Sequence, residues 1–149
     1  MTGTCIPSAD VPDPVFANDM LGKGIAIDPT AGLVVAPFDG EVTLLFKTLH
    51  ALCIKSAEDA DVLVHIGIDT VRLEGKGFKS FVQQGDRVAA GQPLVKMNLL
   101  IVRMKGLSPI CPVIVANHGL FSMKEHYGPC TAGKTPVIEL VRHTDKFEG

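Results

Sequence analysis

The chain has 149 residues, 46% of them hydrophobic, with a mean hydropathy of +0.29 and a formal net charge of −2. This length and composition favour one folded domain with a sizeable core and argue against disorder. The slight acidic balance gives no electrostatic basis for binding nucleic acid or an anionic membrane, because both require a basic surplus.

The sequence contains no apolar stretch long enough to span a bilayer and no basic segment followed by an apolar one at its N-terminus. We therefore expect a soluble, cytoplasmic chain without a signal peptide or direct membrane insertion. The four cysteines are scattered and form no CxxC pair, so free thiols are expected, with neither disulfides nor zinc ligation.

Fifteen Gly and ten Pro separate short runs of Val, Ile, Leu and Phe along the chain. This pattern predicts strands at residues 24–28, 33–36, 41–46, 50–54, 62–66, 78–82, 93–97, 113–116 and 137–142. Short helices are predicted at 98–105, capped by Asn98, and at 120–126, whereas residues 10–16 are predicted to form an ordered loop. The sequence thus predicts an all-β fold, an antiparallel sandwich or flattened barrel with one or two short helices.

Two histidines, His50 and His65, lie on either side of the polar stretch at 55–61, each inside an apolar run. If that stretch is a hairpin tip centred near residues 57 and 58, His50 lies directly opposite His65. Side chains at opposed positions share one face of a sheet, so the two imidazoles are expected to form one small site.

The residues around the pair can orient the imidazoles and fix their tautomers. Gly67 leaves its backbone open beside His65, where a carbonyl can fix the imidazole tautomer and leave the other ring nitrogen as a nucleophile. Thr48 is placed to orient His50, and Asp69 adds a negative charge at the rim. Val62, Val64, Ile66 and Ile68 form the opposite, core-facing side of the strand.

Simpler interpretations remain open at this stage. Both histidines suit half-buried strand positions satisfied by backbone, and His118, His126 and His143 suit surface or structural roles. The turn at 85–94 is similar to that of biotinyl and lipoyl carrier domains, but Lys96 lies in mid-strand rather than at an exposed hairpin tip.

Several motifs in collinear order resemble the glucose-type IIA proteins of the bacterial phosphoenolpyruvate:sugar phosphotransferase system (PTS). They are VHIGIDTV at 64–71 with GKGF at 75–78, VPDPVF at 11–16 with GKGIAI at 22–27, VAPFDG at 35–40 with TLHA at 48–51, and GKTPV at 133–137. The resemblance spans nearly the whole chain. It implies a single IIA domain over residues 1–149, an antiparallel sandwich of the duplicated hybrid motif type, with no cofactor and no metal.

By position, His65 resembles the histidine that carries the phosphoryl group on Nε2, His50 the histidine that stabilises it, and Thr48 the threonine that orients His50. The implied partners are the phosphocarrier protein HPr and a sugar-specific IIB domain, with no role for nucleic acid. The residues that the resemblance assigns to the partner-binding surface are Asp13, Val15, Phe16, Met20, Leu21, Phe46, Leu63, Gly67, Asp69 and Val71.

The chain also departs from the family pattern. Leu49 stands where members commonly carry Asn or Gly before the first histidine, and residues 120–130 differ from the usual pattern. Chains of the family normally begin further upstream, so the family's first strand would be clipped here. The chain is therefore interpreted either as a free-standing protein with a clipped N-terminus or as a cytoplasmic domain of a longer membrane-bound permease.

The predicted activity is phosphoryl relay in sugar uptake. His65 takes phosphate from the phosphohistidine of HPr and passes it to a cysteine of the IIB domain, without a nucleotide-binding loop. Two alternatives stay open. One is a phosphorylation-switched regulator that binds permeases or metabolic enzymes. The other is a zinc hydrolase, which needs a third protein ligand and a base beside the two histidines, with Asp69 as the only obvious candidate.

Overall fold

The computed structural model describes residues 1–135 and 137–143. Short apolar runs between turn residues form strands throughout this part of the chain, and the two helices are short. The strands are β1 (Gly3–Pro7), β2 (Lys23–Pro29), β3 (Leu33–Val35), β4 (Gly40–Leu45), β5 (Ala51–Ser56), β6 (Asp61–His65), β7 (Phe78–Ser80), β8 (Arg87–Val88), β9 (Pro93–Met97), β10 (Cys111–Val115), β11 (Phe121–Glu125), β12 (Gly128–Cys130) and β13 (Ile138–Arg142). The helices are α1 (Pro14–Ala17) and α2 (Leu99–Met104).

Among the described residues, all strand pairs are antiparallel and belong to three sheets. The large sheet has eight strands in the order β12-β1-β2-β10-β6-β5-β4-β8, a second sheet has the order β3-β9-β7, and β11 pairs with β13. Within the described residues these sheets do not close into a barrel. The predicted antiparallel β-sandwich is thereby confirmed.

The main core lies where the large sheet packs against the smaller ones. Leu52, Val64 and Ile66 from the large sheet belong to the same buried cluster as Val95 from β9 and Phe121 from β11. Full burial of such a side chain contributes about 1.5–3 kcal/mol relative to its exposed state. Burial of apolar side chains from both the large sheet and the smaller sheets therefore holds the layers together.

Strand β6 shows the two-residue period on which the prediction of its buried face was based. Val62, Val64 and Ile66 are at most 5% exposed and belong to the main buried cluster, and they alternate with the half-buried Leu63 and His65. The predicted core face is confirmed for these three residues, with His65 on the other side, but Ile68, which follows Gly67, is buried in a second cluster with Phe16.

The prediction of a helix at residues 120–126 is wrong, because this segment is strand β11. Phe121 and Met123 alternate with the exposed Ser122 and Lys124, and the strand pairs along its length with β13. The alternation was present in the sequence, but its partner strand lies beyond an intervening loop and gave no local signal.

Strands β1, β8 and β12 were not predicted. β1 pairs with β2 and β12, and its centre, Cys5, is 1% exposed. These short segments are strands because of neighbours distant in sequence, which a local pattern does not show.

The two helices follow local capping chemistry. The predicted helix near residues 98–105 is confirmed as α2, and the side chain of Asn98 accepts a hydrogen bond from the backbone N–H of Ile101 at 3.2 Å. Residues 14–17, predicted to be part of a loop, form α1, in which Asp13 caps the N-terminus and Pro14 takes the first helical position. The α1 turn carries Phe16 toward the histidines.

All four cysteines are free, as predicted. In the part of the chain that the structure describes, no helix is both long and apolar enough to cross a bilayer.

Candidate functional site: two apposed histidines

The hairpin that carries the histidines has a register one residue away from the predicted one. His65 pairs with Ala51 and Cys53 pairs with Leu63, so His50 is not directly opposite His65. The cause is a loop of three residues, 57–59, closed by a hydrogen bond from Ser56 N to Ala60 O at 3.1 Å. Its last residue, Asp59, has φ +66°, the left-handed position that ends this type of three-residue hairpin loop.

His50 nevertheless reaches His65. It lies just before β5 and follows Leu49, whose φ of +59° turns the chain out of the strand path. Its carbonyl oxygen accepts a hydrogen bond from Ile66 N at 2.6 Å. The two imidazole centroids are 5.3 Å apart at an interplanar angle of 76°. The predicted pairing of the rings is thus present, although the predicted strand register is wrong.

The tautomer of His65 is fixed by its own loop. Its Nδ1 lies 2.6 Å from the carbonyl oxygen of Gly67. Because a carbonyl oxygen only accepts, Nδ1 must carry the proton, and Nε2 is left with a free lone pair. Gly67 adopts φ +82°, and a Cβ at this position would lie 2.5 Å from the Cγ2 of Thr70.

Thr70 holds the loop that presents this carbonyl. It is fully buried, and its hydroxyl donates to the carbonyl oxygen of Ile66 at 2.6 Å. On the other side, Ile68 N donates to Ser108 O at 2.9 Å. Thr70 and Ser108 were not predicted, because neither a hydroxyl-to-carbonyl bond four residues back nor a contact with a distant loop leaves a strong sequence pattern.

His50 has an anchor of the same kind. The Oγ1 of Thr48 lies 2.5 Å from His50 Nδ1. When this hydroxyl donates, the ring proton resides on Nε2, which becomes a hydrogen-bond donor. His50 is only 7% exposed, so the ring is held between its neighbours.

Two phenylalanines contact the histidine rings, one on each histidine. The ring of Phe16 lies 5.0 Å from that of His65, and the ring of Phe46 lies 5.1 Å from that of His50. Phe46 is 38% exposed, whereas Phe16 is only 5% exposed. Phe16 therefore lies behind His65 and supports its ring, and offers little surface of its own to a partner.

Burial lowers the pKa of both imidazoles. For His50, burial is the main cause and the proximity of His65 adds to it. For His65, burial lowers the pKa, while the hydrogen bond to Gly67 and the carboxylates of Asp13 and Asp69 oppose that shift. Both rings are therefore mainly neutral at pH 7, the state in which Nε2 of His65 is nucleophilic.

The other residues expected at the partner-binding surface differ in exposure. Met20, Leu21 and Val71 are 46–69% exposed, whereas Val15 and Leu63 are half-buried. The side chain of Asp13 accepts from Val15 N at 2.9 Å as the α1 cap, and Asp69 is exposed. Gly67 is buried, and it contacts the His65 ring through its carbonyl oxygen. The site is thus an apolar surface with two carboxylates near a polar centre.

Neither histidine lines the main grooves in the described part of the chain. One of about 700 Å³ is lined by residues such as Asp39, Glu41 and Lys55, and neither histidine lines it. Among the described residues, no group of three His, Cys, Asp or Glu side chains is arranged to hold a metal ion. A zinc hydrolase would therefore lack its ligand set in this part of the chain.

An antiparallel β-sandwich with two apposed, anchored histidines at an apolar surface matches one known class of phosphotransfer protein. Residues 1–120 match the family described as "phosphoenolpyruvate-dependent sugar phosphotransferase system, EIIA 1", and the chain belongs to this family. It is therefore a phosphotransferase-system component with a phosphotransfer role in sugar uptake.

The relatives are of two kinds. The chain is 42% identical over 142 residues to the PTS system glucose-specific EIIA component of Bacillus cereus, covering 94% of this chain and 86% of that protein. It is 41% identical to the PTS system N-acetylglucosamine-specific EIICBA component of Escherichia coli, covering 94% of this chain but 22% of that longer protein. Among solved structures, glucose permease IIA from Mycoplasma capricolum matches with a TM-score of 0.87 and 38% identity, over 92% of this chain and 90% of that one.

Proposed function

We propose that His65 accepts a phosphoryl group from the phosphohistidine of HPr and donates it to a cysteine of a sugar-specific IIB domain. The observation that carries this proposal is the anchoring of both rings at Nδ1. His65 Nδ1 donates to Gly67 O, and His50 Nδ1 is bonded to Thr48 Oγ1. Nε2 of each ring is therefore free to react: His65 Nε2 is a nucleophile, and His50 Nε2 is a hydrogen-bond donor.

The acceptance step needs no change at Nδ1 of His65. The lone pair of Nε2 attacks phosphorus, an N–P bond forms on His65, and the N–P bond to the donor histidine breaks. The electron pair of the broken bond returns to the donor imidazole. The Gly67 carbonyl stabilises the positive charge that develops on the His65 ring, because it already accepts the Nδ1 proton.

His50 suits the role of stabilising the phosphoryl group in transit. Phosphoryl transfer depends mainly on positioning and on donors directed at the equatorial oxygens. With the Thr48 hydroxyl donating to Nδ1, the N–H at Nε2 of His50 is available to such an oxygen, and the ring lies 5.3 Å from that of His65. In donation, the N–P bond on His65 breaks as a P–S bond forms on the cysteine thiolate of the IIB domain.

The surface around the rings suits two successive protein partners. Met20, Leu21, Phe46 and Val71 are exposed apolar side chains, and Phe46 lies beside the His50 ring. Residues of this kind form the centre of protein interfaces, and the carboxylates of Asp13 and Asp69 offer acceptors for an arginine of either partner. Because the relatives include both glucose-specific and N-acetylglucosamine-specific proteins, the sugar is assigned to the partner domains and not to this site.

Incubation with phosphoenolpyruvate and the two general phosphotransferase proteins tests the proposal. The chain should acquire one phosphate that is labile in acid and stable in base. His65→Ala should abolish this label, whereas His118→Ala, which removes a histidine from the loop after β10, should leave it intact. Label that survives in His65→Ala would refute the assignment.

The donation step is tested separately with purified IIB domain. His50→Gln should accept phosphate from HPr but lose about a hundredfold or more in the rate of transfer to IIB, since one preorganised donor is lost. Thr48→Val should show a smaller loss in the same step, because His50 remains but its proton is no longer fixed on Nε2. Equal donation rates for His50→Gln and the unchanged protein would remove His50 from the mechanism.

A further inference from the structure

The overall charge of −2 conceals a strong internal asymmetry. Between residues 70 and 105 there are seven Lys or Arg and two Asp or Glu, a net charge of +5, while the remaining residues hold seven Lys or Arg and fourteen Asp or Glu, a net charge of −7. The sequence-wide balance therefore says little about this segment.

The fold gathers much of this positive charge on one structural unit. Lys79 of β7 is directly opposite Lys96 of β9. Strand β9 leads straight into α2, where Asn98 N donates to Gly77 O at 2.7 Å and the Ile101 side chain packs at the Gly77 position. The basic face is defined here as this unit and its exposed cations, Lys76, Lys79, Lys96, Arg103 and Lys105.

Lys79 and Lys96 place two positive charges at opposed positions. They border a shallow groove of about 500 Å³ that is also lined by Gly32, Gly77 and Asn98. Like charges directly opposite each other on adjacent strands are unfavourable, and a bound anion relieves this repulsion. Among the described residues, none of the five cations of the basic face takes part in a salt bridge.

The basic face also carries exposed apolar side chains. Leu100 and Met104 are 66% and 75% exposed, and their spacing of four residues places them on one side of α2 together with Arg103. Phe81 is 45% exposed, and the Nζ of Lys79 lies 5.3 Å from the centre of its ring. Cations flanking exposed apolar side chains are typical of a segment that lies on a membrane surface.

We propose that the basic face binds the surface of an anionic phospholipid bilayer. Lipid phosphates occupy the groove between Lys79 and Lys96, and Leu100 and Met104 enter the boundary between headgroups and acyl chains. Each Lys or Arg beside such a surface raises the affinity about fivefold, so five cations suffice for salt-sensitive binding. The histidine site takes no part in this contact.

Flotation of the full chain with lipid vesicles tests the proposal. Vesicles of phosphatidylcholine with about a third phosphatidylglycerol should carry the protein at low salt, and binding should fall steeply as salt screens the charges. Pure phosphatidylcholine vesicles should leave it in solution. Equal binding to both kinds of vesicle, or none to the anionic kind, would overturn the proposal, as would capture by an acidic protein without any binding to lipid.

Matched variants localise the contact. Lys79→Gln with Lys96→Gln should weaken binding to anionic vesicles by about an order of magnitude or more, whereas Lys124→Gln with Lys134→Gln removes two exposed lysines elsewhere and should have a much smaller effect. Leu100→Ser with Met104→Ser should weaken the binding that persists at higher salt. All three double variants should still accept phosphate from HPr, which shows that they are folded. Equal losses in the two lysine pairs would contradict a localised contact.

Discussion

His65 donates its Nδ1 proton to the carbonyl oxygen of Gly67, two residues further along the chain and 2.6 Å away. This one bond fixes the tautomer of the ring and leaves Nε2 as the nucleophile. Its geometry depends on a loop in which Gly67 and Asp69 both have positive φ and Thr70 is buried. The first predictions therefore concern this loop.

Gly67→Ala should impair both the fold and the site. The added Cβ would lie 2.5 Å from Thr70 Cγ2, in addition to the strain of an alanine at φ +82°. We expect a loss of about 2–4 kcal/mol in the free energy of unfolding, measured in urea, and slower phosphorylation of His65.

Gly75→Ala is the matched control, since Gly75 has a similar φ of +88° but no atom within 4 Å of the added Cβ. It should cost only the strain, about 1 kcal/mol. Adding Thr70→Ser to Gly67→Ala removes the methyl group in the clash and should recover part of the loss. Equal costs for Gly67→Ala and Gly75→Ala would show that the contact with Thr70 is unimportant.

Thr70→Val should slow the phosphorylation of His65 by releasing the loop that presents the Gly67 carbonyl. The variant has nearly the same shape but leaves the carbonyl oxygen of Ile66 without its 2.6 Å donor, at a cost of about 1–3 kcal/mol. Thr70→Ser keeps the hydroxyl and should retain most of the rate.

The nitrogen chemical shifts of the His65 ring separate a positioning role from general destabilisation. In Thr70→Val they should show a mixture of tautomers, whereas in Thr70→Ser the proton should stay on Nδ1. An unchanged ring spectrum in Thr70→Val, with only stability reduced, would rule out the positioning role.

Leu49 supplies a test of the backbone turn before His50. Leu49→Ile conserves volume but places a β-branched residue at φ +59°, so we expect a loss of about 1–3 kcal/mol in unfolding free energy and slower donation to IIB. Leu49→Asn, which tolerates this conformation, should preserve transfer. Leu45→Ile, at the end of β4, is the control because a β-branched residue suits an extended strand. If Leu49→Ile and Leu45→Ile had the same effect, the turn would not matter.

Acid should weaken both function and stability through the two histidines. Since burial holds the pKa of His65 and of His50 below 6.5, the folded protein binds fewer protons than the unfolded chain. The stability that these groups contribute is therefore complete above about pH 6.5 and is lost as the pH falls through the lower folded values. The rate of phosphorylation should likewise reach half its maximum below pH 6.5, measured in single-turnover experiments across that range.

The carboxylates near His65 allow a matched comparison. Asp13 and Asp69 raise the pKa of His65, so Asp13→Asn with Asp69→Asn should move the phosphorylation profile to still lower pH. Asn retains the capping ability of Asp at the start of α1. Asp39→Asn, at an exposed position outside the site, should leave the profile in place. A shift in the opposite direction would contradict the electrostatic account.

The histidine pair was predictable from the sequence, but the strand register that was used to predict it was not. A symmetric hairpin tip was expected, whereas the loop at 57–59 has an odd number of residues and shifts the pairing by one. The left-handed turn at Leu49 then places His50 outside β5, where its ring still meets that of His65. The apolar pattern does not show the positive φ of Asp59 or of Leu49, because neither residue type indicates a positive φ as strongly as glycine does.

The buried face of β6 and the capped helix α2 were predictable because both depend on local periodicity and local hydrogen bonds. Strands β1 and β12 depend on each other across more than 120 residues, and β11 depends on β13. The burial of Phe16 against His65 was missed for a related reason, since the resemblance assigned it to a surface and only the packing of α1 shows that it lies behind the ring. That the chain forms a single domain over residues 1–149 stays a prediction.

Both proton positions at the site are set by partners only two residues away, Thr48 for His50 and Gly67 for His65. The hydrogen bonds that set both tautomers are thus local in sequence, while Ser108 and the packing of the sandwich hold the loop that presents the Gly67 carbonyl. A short segment dictates which nitrogen reacts, and the rest of the chain keeps that segment in shape.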